Sequence, residues 1–166
     1  MSIPAQAFAD RLPNDLLPGS VLLFRESWAL LVNNQQEEAE PVLAFLVLQG
    51  EHTGSLFKVG KGMPPCLTLA EPFGWFASVK EGVLPAHDVV DTASLSLTPH
   101  GPVVVGQMPS QWGDGDKIAF GMDGQPLGDH PRGAVKRFAT WSAEIFHPSR
   151  PFVSLGRLFE VDRTPR

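Results

Sequence analysis

The chain has 166 residues, 43% of them apolar and 19% charged, with a net charge of −5. That length supports one packed core without staples, and the acidic balance disfavours nucleic acid, whose phosphates call for a basic surface. Cys66 is the only cysteine, which excludes an internal disulfide and a cysteine-based zinc centre, and no apolar run approaches the ~18 residues of a membrane span.

Glycine and proline occur 16 times each, and the longest stretch free of both runs from Ser20 to Glu40. Breakers at that density favour short extended segments joined by turns. The predicted architecture is mainly β, an antiparallel barrel or sandwich with one or two short helices. It is read as a single domain over 1–166. The first fifteen residues lack a basic stretch followed by an apolar one, so a cytoplasmic location is expected rather than export.

In chain order, Pro4–Leu12 reads as a short helix, with Pro4 in its first turn and Pro13 beyond its end. Pro18-Gly19 marks a turn. Val21–Val32 alternates with Leu22, Phe24, Trp28, Leu30 and Val32 on one face. It is read as one long strand, or as two strands bent at Arg25-Glu26-Ser27, with a helix as runner-up. Asn33–Glu40 is a polar, acidic loop. Val42–Leu48 is apolar on both faces and suits a strand buried on both sides, paired antiparallel with the run before it.

Further strands are expected at Ser55–Val59, Cys66–Leu69, Trp75–Val79, Val89–Leu97, Val103–Val105 and Lys117–Met122. Asp123-Gly124 supplies a two-residue turn. Phe138–Ile145 fits both periods: Ala139, Trp141, Ala143 and Ile145 alternate, while Val135, Phe138, Trp141 and Ile145 share helical spacing. The strand is preferred, because Phe152–Val161 also alternates and together they make a terminal hairpin over about 137–161. Turns recurring about every ten residues suit a sandwich or barrel.

Charge is unevenly distributed: residues 1–130 carry a net −9 and residues 131–166 a net +4. The simplest reading sets the basic end against the acidic remainder, in the same subunit or a neighbour.

Candidate sites are few. Gly54–Gly62 resembles a phosphate loop only superficially, since Gly62 stands where a hydroxyl must hold magnesium and Pro64-Pro65 forbid the helix that cradles the anion. Cys66, flanked by Pro65 and Leu67, is expected in the core. His87, Asp88 and Asp91 are a candidate metal cluster, although a strand would hold His87 and Asp91 ~13 Å apart. Trp112, Asp114 and Asp116 form a candidate ligand loop, the indole stacking on a sugar and the carboxylates accepting hydroxyl hydrogen bonds; its bland alternative is a plain turn. Phe73, Trp75 and Phe76 crowd three aromatics into four positions and cannot all face one core, which makes them candidate interface residues.

No cofactor is expected. The leading reading is a non-catalytic interaction or structural module that associates with itself or with another protein. The alternatives are a small-ligand or carbohydrate-binding β-domain using the Trp112–Asp116 loop, and an enzyme whose histidine and carboxylate site is assembled only by the fold.

Overall fold

Breaker spacing translates into strand length. The computed structural model describes residues 3–34, 42–81, 83–85, 90–110, 115–133 and 136–165. Among them are thirteen strands, two short 3-10 turns (Ala5–Ala7 and Pro13–Asp15) and no helix of seven residues or more. The strands are β1 Phe8–Arg11, β2 Val21–Phe24, β3 Ser27–Asn33, β4 Leu43–Val47, β5 Leu56–Lys58, β6 Cys66–Leu69 and β7 Gly74–Ser78. They continue as β8 Leu95–Thr98, β9 Gly101–Gln107, β10 Lys117–Gly121, β11 Lys136–Phe138, β12 Thr140–Phe146 and β13 Gly156–Asp162. Three antiparallel sheets result, in the orders β1-β6-β2-β3-β4-β5, β10-β9-β8-β11 and β13-β12-β7, and none closes into a barrel.

The mainly antiparallel β expectation holds, with local corrections. The helix expected at Pro4–Leu12 is only one 3-10 turn; Phe8–Arg11 extends and pairs with β6, Phe8 opposite Leu69 and Arg11 opposite Cys66. Pairing with an existing strand outweighs a weak helical preference in so short a segment. Val21–Asn33 is a tight hairpin. Phe24 lies opposite Ser27, and Arg25 and Glu26 both take positive φ, 48° and 66°. That two-residue reversal changes which positions share a face: Leu22 and Phe24 lie outward while Trp28, Leu30 and Val32 lie inward. The β8 strand begins only at Leu95, because Ala93 turns to φ 62°. The helical alternative for 138–145 is excluded by β12, which pairs with both β13 and β7. Lys136–Phe138, just before it, belongs to the four-stranded sheet instead.

The main core lies between the three sheets. Leu30, Val32 and Leu46 come from the first sheet, Leu95, Val104 and Phe120 from the second, and Trp141, Ala143 and Phe159 from the third. Along β4 the alternation is strict: Ala44 and Leu46 enter this core, whereas Phe45 and Val47 face outward into a second cluster with Leu22 and Leu31. Val59, Leu16 and Met63, from connecting segments, pack on that second cluster. The doubly apolar strand is therefore buried on both faces by its own chain.

Single contacts fasten sheet to sheet. The Trp141 indole N–H donates 2.8 Å to the Ala93 carbonyl, and a Ser55–Gln107 bridge joins the first sheet to the second. Gly54 sits against Thr92 with φ +92°, and a Cβ there would lie 2.6 Å from the threonine side chain. The phosphate-loop look-alike thus owes its first glycine to a close approach of two segments.

Candidate functional site at the edge of the three-stranded sheet

Strand β7, GWFAS, distributes the crowded aromatics over different surroundings. Trp75 and Ala77 pack on the main core, opposite Ile145 and Ala143 of β12. The Trp75 indole N–H donates 2.8 Å to the carbonyl of Gly19, across the gap to the first sheet. Phe73 meets the His147 ring edge-on at 5.4 Å. Phe76 takes the other face of β7, opposite Glu144, and its ring lies 6.0 Å from Phe146 and 5.8 Å from Phe152. Phe146 and Phe152 complete the triangle at 5.5 Å. Phe146 also covers the start of β7: a Cβ on Gly74 would come within 2.6 Å of its ring, so glycine is what lets the ring lie flat there.

Phe152 is 71% exposed, with φ +59°. Both features are costly for a bulky apolar side chain. The loop between β12 and β13 holds it in place. The Glu144 carboxylate accepts hydrogen bonds from Ser142 at 2.9 Å and Ser154 at 2.8 Å, and Ser154 in turn accepts the Gly156 amide. At the loop's start, Nδ1 of His147 accepts the Ser149 amide at 3.1 Å. Val153, 48% exposed, extends the apolar surface. Phe146 and Phe152 had no signal in local sequence. Phe152 follows proline in a turn, and only the β12–β7 register brings Phe146 beside Phe76.

The edges of the three sheets differ in one respect. Edge strands β1, β5, β10, β11 and β13 each carry at least one Lys, Arg, Asp or Glu, and β7 carries none. It contains no proline either. Charges and prolines on an edge strand oppose pairing with another chain.

A cleft of about 480 Å3 adjoins this edge, between the start of β7 and the Pro18–Val21 segment. Phe73 and Trp75 are among its lining residues, as are three acids, Asp15, Glu71 and Asp123, and one base, Arg11.

The other candidates fare differently. His87, Asp88, Trp112 and Asp114 lie outside the described residues. The Asp91 carboxylate is held by Arg137 at 2.7 Å and Lys117 at 3.5 Å, so its charge is already matched. Asp116 is exposed, and its carbonyl accepts the Met108 amide at 2.9 Å. His130 contacts Asp129 at 2.6 Å, and this hydrogen bond holds the Asp129 carboxyl below its usual range. Among the described residues no group of three or more His, Cys, Asp or Glu side chains is placed to hold a metal ion. Cys66 is buried, and burial, with the Asp10 charge adding to it, pushes its thiol above the ordinary value. No protein-family model, curated protein or solved structure matches the chain.

Proposed function

We propose that the protein is a non-catalytic interaction module that self-associates through the edge and outer face of its three-stranded sheet. The observation that carries this reading is the bare edge of β7: every other edge strand bears a charge, and β7 does not. Beside it the Phe76–Phe146–Phe152 triangle presents an aromatic surface that the chain leaves part-exposed. Aromatic anchors surrounded by polar residues are the usual centre of a protein interface. An antiparallel pairing of β7 with its copy is self-complementary, as a two-fold dimer requires, and sets two aromatic faces side by side.

Light scattering after size exclusion, with native mass spectrometry, tests the reading. The wild type is expected as a dimer. Phe152→Glu, which adds charge to the aromatic face, and Ser78→Lys, which guards the edge, are each expected to yield folded monomers. A wild type that stays monomeric across the accessible concentration range overturns it.

A further inference from the structure

The cleft beside β7 has a chemistry that the self-association reading does not use. Its acidic lining residues outnumber its basic ones: Asp15, Glu71 and Asp123 against Arg11 alone. Its aromatic lining residues are Phe73, Trp75 and Phe146, and the one polar atom of the indole is already committed to Gly19. The indole therefore has only its π-face to offer, and π-faces attract cations. A volume of about 480 Å3 is within the range of small-ligand sites. An anion meets net repulsion here, while an apolar group without charge leaves the carboxylates unused.

We propose that this cleft is a binding site for an organic cation, an ammonium carried on an apolar stem. The cation packs against the Phe73 and Trp75 side, and the three carboxylates supply the opposing charge. Two sources carry that chemistry, a free alkylammonium compound and a lysine side chain of an extended peptide. Phe152 does not line the cleft, but Gly74, Trp75 and Phe146 do, so a copy paired along β7 borders the site.

The test follows the Trp75 indole N–H by nuclear magnetic resonance in the full chain. Choline, a blocked pentapeptide with a central lysine, and the same peptide with a central glutamate are titrated in turn. A saturable shift with choline identifies a free cation as the source, and one with the lysine peptide alone identifies a peptide. Glu71→Gln combined with Asp123→Asn keeps the fold, because the Asn oxygen can still accept the Gln125 amide as Asp123 does, and weakens binding roughly tenfold. Asp15→Asn alone gives a smaller loss in the same direction. The monomeric Phe152→Glu variant, in which no copy covers the β7 edge, binds at least as tightly as the wild type, so failure of self-association leaves this result readable. Silence with both cations, equal binding of the glutamate peptide, or unchanged affinity in the carboxylate variants overturns the proposal.

Discussion

The indole of Trp75 and the carbonyl of Gly19 are joined by a 2.8 Å hydrogen bond that ties the edge of the three-stranded sheet to the turn before β2. Gly19 is itself fixed, its amide donating to Leu31 at 2.8 Å. The contact therefore runs from β7 through one side chain into the centre of the first sheet. Trp75 and Gly19 both line the cleft beside β7.

Trp75→Phe removes the donor and keeps most of the aromatic packing. The expected cost is about 1–2 kcal/mol, the loss of one part-buried hydrogen bond plus a modest change in volume. Urea unfolding measures the loss. Hydrogen exchange should show the β7 amides opening faster while those of β3 and β4 keep their protection. A uniform change across all sheets would argue against a local tether.

The turn between β2 and β3 is built against residue preference. Arg25 and Glu26 both occupy the left-handed region, at φ 48° and 66°, where a hairpin of this length normally uses Asn-Gly. Replacing the pair by Asn-Gly should stabilise the protein by about 1 kcal/mol, after allowing for loss of the exposed contact between Arg25 and the Phe24 ring. A thermal midpoint that falls would contradict this account of the turn.

The same turn explains what the sequence could reveal of the fold. Alternation in Val21–Val32 and the doubly apolar Val42–Leu48 announce strands, because a period of two is a local property. Whether that first run is one strand or a hairpin depends on two residues that lack turn chemistry, so the reversal was legible only as a bend. Phe8–Arg11 shows the opposite failure: a segment with weak local preference becomes a strand because β6 offers it a partner. Site residues follow suit. The crowding of Phe73, Trp75 and Phe76 was visible locally, but their separation onto different surroundings is set by the β7–β12 register. Phe152 joins them through a loop nine residues long, fastened by Glu144 and Ser154, and no local pattern encodes that pairing.

Phe152 separates stability from association. Its backbone strain, at φ +59°, costs about 1 kcal/mol that glycine does not incur, and its 71% exposed ring returns little packing energy. Phe152→Gly is therefore expected to keep or slightly raise the unfolding midpoint. At the same time it should weaken self-association by at least an order of magnitude, roughly the cost of deleting an interface aromatic. Paired calorimetry and sedimentation read both quantities on one sample. A variant that loses stability and still dimerises would assign Phe152 to the fold rather than to the interface.

Cys66 gives a dependence on pH whose sign is fixed by its surroundings. Burial is the larger cause and the Asp10 charge the smaller, and both favour the protonated thiol in the folded protein, raising its pKa above the ordinary 9.0. The unfolded chain then loses its proton first as pH rises. The thiol's contribution to stability is complete below 9.0 and declines as pH climbs from there toward the raised folded value. Comparing the wild type with Cys66→Ala isolates this one group, because all other titrations are shared. The stability difference between them should be constant from neutral pH to about pH 8 and should shrink above the ordinary thiol range. The folded thiol should also react slowly with a disulfide reagent near pH 8, and quickly once urea exposes it, since only the thiolate attacks. Fast labelling of the native protein would show an accessible, ionised sulfur and remove the basis for the pH dependence.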